Sequence, residues 1–239
     1  MCYNYEIDDK QLGMGFPDLT GTIYDSTEWD NNPFYSAFTF RKAPVIINED
    51  KKHLQHYNWG LIPKWTKSIE DSKKIRTQTL NARSETVFEK PSFRNSITKK
   101  RCLIPAIGFY DWRDFNGKKY PYYIYLKDRK IFSFAGIYEN WTDRETGEII
   151  NSYSMLTVQA NPMMAKIHNS KERMPVILHK EDEERWLNPN LTKDEIAALL
   201  QPYDESLMAA YTIQKDFNKV RHIEGQLLPA FEYVELPGI

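Results

Sequence analysis

The sequence predicts an α+β fold, a mostly antiparallel curved sheet or open β-barrel-like core with flanking helices. Short runs rich in aromatic and β-branched residues recur along the chain, turn residues bound them, and the few helix signals are scattered rather than alternating with strands. The strand runs, in order, are PVIIN, HYNWGLIP, RCLIPAIGFYDW, YPYYIYL, KIFSFAGIYENW, SYSMLTVQA and MPVIL, with turns at Asn116-Gly117 and Thr146-Gly147. Helices are expected at 82–89 and 181–187. A third opens at Thr192-Lys-Asp-Glu195, whose Thr and Glu have capping-box spacing. Residues 64–74 read as a polar loop. Nothing repeats and no Gly/Ser or Pro-rich linker divides the 239 residues, so 1–239 is expected to be a single domain, and a monomer.

Composition narrows the chemistry. Two cysteines, Cys2 and Cys102, lie far apart without CxxC spacing, which points to a reducing compartment and away from a disulfide scaffold. No basic segment followed by an apolar run opens the chain and no stretch is long enough to span a membrane, so the cytoplasm is expected. Gly13-Met14-Gly15 lacks the third glycine of a dinucleotide fingerprint, and neither a P-loop nor a GxSxG elbow occurs, so no cofactor is expected. His53 and His56 have i, i+3 spacing, but no adjacent carboxylate or cysteine completes a metal set; His179 and His222 read as surface residues. The net charge of −1 hides an asymmetry: from Lys64 to Arg101 there are eleven basic residues against four acidic ones. That segment fits a polyanion-binding face or a merely solvated surface.

Cys2 stands out by position. Removal of Met1 would give it an α-amine and a thiol on neighbouring carbons, with reference pKa values of about 8 and about 8.5, so each is appreciably reactive near neutrality. An aldehyde is the natural partner: the amine forms an imine and the thiol closes on the imine carbon to give a five-membered thiazolidine.

Four further clusters accompany Cys2: Trp59-Gly60-Leu61-Ile62-Pro63-Lys64-Trp65; Asn81-Ala82-Arg83-Ser84-Glu85-Thr86; Arg101-Cys102-Leu103-Ile104-Pro105 running to Gly108-Phe109-Tyr110-Asp111-Trp112; and Ala160-Asn161-Pro162, followed by His168 and Arg173-Met174-Pro175-Val176-Ile177-Leu178. With Cys2, they resemble the SRAP family, the SOS response-associated peptidases that cross-link themselves to abasic DNA. The resemblance runs from Met1 to about Leu187 and more weakly beyond.

The resemblance implies a partner, single-stranded DNA containing abasic sites, and catalytic roles for Cys2, Asn81, Asp111 and His168. Asn81 would hold the cysteine and donate to developing oxygen charge; a helix N-cap before Ala82 is an equally available role. His168 would open the sugar ring as general acid and base. Asp111 stands where the family usually has glutamate and would shuttle protons with a shorter arm. Arg83, Arg94 and Arg173 would contact phosphates, and Trp65 would stack on a base, whereas Trp59 and Cys102 belong to the core. Asn4 stands where the family often has a phosphate-binding arginine. His168 and Arg173 are separated by Asn-Ser-Lys-Glu, longer than in compact family members. The family name implies a self-processing peptidase (hydrolase), with possible lyase activity. Two other readings stay open: a thiol peptidase acting on proteins in trans, and a non-covalent reader of damaged or modified DNA.

Overall fold

The computed structural model describes residues 2–7, 12, 32–219, 222 and 226–239; Met1 and Gly13-Met14-Gly15 lie outside them. Two β-systems form the body of the α+β fold. Strands β3 (Lys42–Ile47), β4 (Asp50–Trp59), β6 (Arg101–Ala106), β9 (Phe132–Thr142) and β10 (Ile149–Gln159) pair in the order β10-β4-β3-β6-β9, and β9 pairs back to β10. The expected open barrel is therefore a closed five-stranded one. Closure removes the free edges of these strands, and the β4–β10 pairing is parallel. Two short strands extend β10: β5 (Asn81–Arg83) in parallel and β11 (Arg173–Pro175) antiparallel.

The second system is antiparallel, in the order β12-β8-β7-β1-β2, from β1 (Asn4–Glu6), β2 (Phe34–Ser36), β7 (Gly108–Phe115), β8 (Lys118–Leu126) and β12 (Met208–Thr212). Asn116 and Gly117, both with positive φ (51° and 71°), form the tight β7–β8 turn. Gly108 lets β7 press against Tyr123, because a Cβ there would lie 2.2–2.6 Å from its hydroxyl and ring. Tyr5 joins the two systems: its ring packs against Tyr35, Trp59 and Phe134, and its hydroxyl meets that of Tyr153 at 3.1 Å.

The α-helices described in full pack outside: α1 (Ile69–Arg76), α2 (Arg94–Lys99), α3 (Pro162–Ile167), α4 (Lys180–Trp186) and α5 (Lys193–Leu199). Helix α4 occupies the expected 181–187 region, and the Thr192/Glu195 capping box opens α5. Three expectations are corrected. The 64–74 stretch is not all loop, since Ser68 accepts from Asp71 N and caps α1. The 82–89 segment is not a helix: Asn81–Arg83 is strand, captured by β10, and turns follow. Helices α2 and α3 were not foreseen, although Asn161 accepting from Met164 N with Pro162 at the first turn is a strong start signal. His222 is buried rather than superficial, stacked on Phe34 and bonded to Phe217 O, and that burial lowers its pKa. Among the described residues no helix is long and apolar enough to cross a membrane.

Substituting Gly108 is expected to overpack this junction. Gly108→Ala should cost about 1–3 kcal/mol and lower Tm by several degrees in a thermal melt; an unchanged Tm would show that Tyr123 moves freely.

Candidate active site

The short strand β1 delivers Cys2 to the junction between the β7 sheet and the barrel. β1 is paired on both sides, Asn4 opposite Ser36 and Tyr110, Glu6 opposite Phe34 and Gly108. Cys2 is fully buried just before it, and its thiol donates to Asn4 O at 3.4 Å. Burial first, and the nearby Asp111 carboxylate second, push this thiol far above its ordinary pKa.

Asn81, Asp111 and His168 gather around it from three elements. Asn81 is buried on β5 and its Nδ2 donates to Cys2 O at 3.0 Å. Because its backbone belongs to a strand, the helix N-cap alternative falls away, and the amide is left for Cys2. Asp111 is buried on β7; its Oδ1 accepts from Trp112 N at 2.9 Å, and its Oδ2 lies 3.9 Å from His168 Nδ1. Desolvation raises the Asp111 pKa, and His168 partly opposes this. Two buried oxygens here, Asn81 Oδ1 and Asp111 Oδ2, have no hydrogen-bond partner among the described residues. Such orphaned acceptors cost stability and are open to donors from a bound molecule.

His168 sits immediately after α3, where its N–H donates to Met164 O at 2.7 Å. Its ring is fixed by the backbone of Arg173: Nδ1 lies 2.8 Å from Arg173 O and 3.2 Å from Arg173 N. The carbonyl contact needs an Nδ1–H and the N–H contact an Nδ1 lone pair; the shorter one favours Nδ1–H, the tautomer that leaves the lone pair on Nε2. The Asn-Ser-Lys-Glu segment closes a loop whose ends meet at this contact. Glu172 takes a left-handed turn (φ 49°) and donates to His168 O, while Asn169 exchanges hydrogen bonds of 2.7 and 3.0 Å with the Asp114 backbone.

The expected DNA-contact residues separate into three groups. Arg83 is exposed beside Asn81, at the same end of β10. Arg173 is only 5% exposed. Its guanidinium is engaged by Glu85 in a two-point ion pair and by Thr157 O, so it is held inward rather than presented as an open phosphate fork. Burial alone would raise the Glu85 pKa, but Arg173 holds it below the usual carboxylate range. Asn4 is likewise buried. Trp65, 51% exposed, lines a hollow of about 340 Å³ with Lys64, Asn95, Lys99, Lys100 and Glu139; none of Cys2, Asn81, Asp111 and His168 lines it. Arg94 is exposed at the start of α2. Trp59 and Cys102 are buried, as expected of core residues. Asp50, three residues before His53, pairs with it at 2.8 Å, a partner overlooked in the sequence. Glu85 and Tyr3 belong to the site's surroundings without having been assigned a role; their adjacency to Arg83 and Cys2 was the available signal.

Comparison with known proteins identifies the family. The sequence model described as "SOS response associated peptidase (SRAP)" matches residues 1–220. The Bacillus subtilis abasic site processing protein YoqW is 40% identical over 204 residues, covering 84% of this chain and 88% of its own. The chicken (Gallus gallus) abasic site processing protein HMCES is 29% identical over 232 residues, covering 84% of this chain and 67% of its own. A crystal structure of a protein from Bacteroides thetaiotaomicron superposes with a TM-score of 0.86 at 45% identity, covering 92% of this chain and 95% of that one. The chain, with Cys2 enclosed by Asn81, Asp111 and His168, therefore belongs to the SOS response-associated peptidase (SRAP) family.

Proposed function

We propose that this protein processes abasic sites in single-stranded DNA by covalent capture through Cys2 once Met1 has been removed. The supporting observation is the pair of orphaned buried oxygens, Asn81 Oδ1 and Asp111 Oδ2, at the residue that would carry both the amine and the thiol. The relatives' shared description as abasic site processing proteins supports the choice of substrate.

In this reading His168 Nε2 accepts the C1′ hydroxyl proton of the cyclic sugar and returns a proton to the ring oxygen, opening the hemiacetal to an aldehyde. The Cys2 amine adds to C1′, water leaves, and an imine forms. The sulfur then adds to the imine carbon while the thiol proton passes to nitrogen, closing the thiazolidine; the net change is loss of one water. Asp111, with a raised pKa and one oxygen facing the site, carries protons between water, amine and thiol. Asn81 holds the Cys2 carbonyl so that the amine and sulfur face the same carbon. Arg83 supplies an exposed cation for a phosphate. A peptidase working in trans is less well served, because it needs a thiolate nucleophile and burial suppresses ionisation of the Cys2 thiol.

Mature protein incubated with an abasic oligonucleotide should gain the mass of one strand less one water, and Cys2→Ala should gain none; a persistent adduct in Cys2→Ala would reject the thiazolidine.

Asp111→Asn should have opposite effects on stability and activity. A buried carboxylate with a raised folded-state pKa loses stability as pH rises through that value. The variant should therefore melt about 2–4 °C higher at pH 7, with the gain shrinking towards pH 4, while cross-linking slows. A lower Tm at pH 7 would contradict the sign.

Glu85→Ala should release Arg173 and, through its backbone, His168. Cross-linking should slow on the order of 10- to 100-fold, with a displaced acidic limb in the pH–rate profile; an unaltered rate and profile would remove Glu85 from this chain of contacts.

A further inference from the structure

Strand β7 carries Asp111, and side chains complete the edge along which β1 runs. There β1 pairs with Gly108, Phe109 and Tyr110 and then ends. Phe115 and Lys118 close the two-residue turn to β8, so the main-chain N–H and C=O of Asp114 point away from β8, as do those of Trp112 and Tyr110. Tyr110 faces Asn4 of β1, and Trp112 N donates to Asp111 Oδ1 at 2.9 Å. Asp114 is met by a side chain from a distant part of the chain. Asn169 Oδ1 accepts from Asp114 N at 3.0 Å, and Asn169 Nδ2 donates to Asp114 O at 2.7 Å. A carboxamide presents an acceptor and a donor side by side, so it pairs with the main chain of one residue as a neighbouring strand would.

Asn169 is the residue after His168. The loop that follows closes on itself without the Asn169 side chain: Lys171 N and Glu172 N donate to His168 O, Ala160 N donates to Glu172 O, and Arg173 enters β11. Those bonds shape the loop, and the Asn169 pairing joins it to the strand that bears Asp111. The join matters because His168 Nδ1 and Asp111 Oδ2 lie 3.9 Å apart. That separation is too long for a direct hydrogen bond and leaves both groups available to a molecule between them, so a small slip of the loop changes what they reach. Asn169 is exposed, where a hydrogen bond adds little net stability, and two aligned bonds to one main-chain residue serve position instead. We propose that Asn169 is a positioning residue for His168, its carboxamide latching the imidazole-bearing loop to β7 and so fixing the ring relative to Asp111. The inference rests on the reading above, in which His168 opens the abasic sugar.

The test compares mature protein with Asn169→Ala, Asn169→Gln and Ser170→Ala, the last an exposed neighbour in the same loop. Two substrates are used: an abasic oligonucleotide, whose sugar must be opened, and an oligonucleotide bearing an acyclic aldehyde with no hydroxyl placed to close a ring. On the abasic strand Asn169→Ala should lower the maximal cross-linking rate about 10- to 100-fold, with the half-saturating DNA concentration unchanged. On the acyclic aldehyde it should react at nearly the rate of the unsubstituted protein. Asn169→Gln keeps both a donor and an acceptor and should recover most of the loss, while Ser170→Ala should change neither rate. In the His168→Ala background Asn169→Ala should slow the abasic reaction no further, because the two act as one unit. The Tm of Asn169→Ala should stay within about 2 °C. An unaltered abasic rate, or equal slowing on both substrates, overturns the latch. The imidazole NMR signals of His168 give a readout free of the covalent step: they should shift in Asn169→Ala and return in Asn169→Gln, and unmoved signals also overturn the proposal. A missing adduct in the unsubstituted protein, together with Asn169-dependent ring signals, would fault the capture chemistry and leave the positioning role standing.

Discussion

The insertion of Tyr5 between the two β-systems is the constraint on which the active site depends. A three-residue strand has little cohesion of its own, yet β1 is hydrogen-bonded on both edges, and Tyr5 enters a cage of Tyr35, Trp59, Phe134 and Tyr153. Burying a side chain of this size stabilises by about 1.5–3 kcal/mol, and here it also sets position. Cys2 is three residues upstream, so its range of motion is short. The Asn81 contact to its carbonyl can then form reliably, which a frayed terminus would not allow.

The polar groups around Cys2 are arranged at a cost to stability. Asp111 is desolvated, and among the described residues neither its Oδ2 nor Asn81 Oδ1 has a hydrogen-bond partner. Buried polar atoms without a partner occur elsewhere as well, Glu183 Oε2 and Arg129 Nε among them, but these two acceptors share the neighbourhood of Cys2. Arg101 shows the contrast: it is fully buried without a carboxylate, yet it donates to the carbonyls of Ile97, Thr98, Trp186 and Asn188 and so closes the ends of two helices. The elevated thiol pKa adds protection, since a neutral, enclosed sulfur resists oxidation.

The basic segment from Lys64 to Arg101 separates in three dimensions into different tasks. Arg101 is structural, Arg76 lies over Phe40, and Lys100 pairs with Glu139. Arg83 stands at the mouth of the site, while Lys64, Lys99 and Trp65 surround a separate hollow. A linear charge count treats these as one surface because it has no access to which side of a strand or helix each residue occupies. Arg173 illustrates the same limit, since its partner Glu85 is far away in sequence and adjacent in space.

The sequence by itself determined the residue types and the local devices. Cys2 behind Met1, the capping box at Thr192 and Glu195, the Asn116-Gly117 turn, the runs that became β6 to β10 and the apolar setting of Trp59 and Cys102 all follow from neighbours in the chain. The tertiary structure decided what depends on distant partners. It closed the barrel through β9 and β10, and drew residues 81–83 into a strand because β10 offered them an edge. It also buried His222 against Phe34, and turned the His168 ring towards Asp111 by folding the Asn-Ser-Lys-Glu loop back on itself. The division has a physical cause: propensity, capping and turn chemistry act over a few residues, whereas edge pairing, desolvation and charge coupling are fixed only when segments far apart along the chain share one interior.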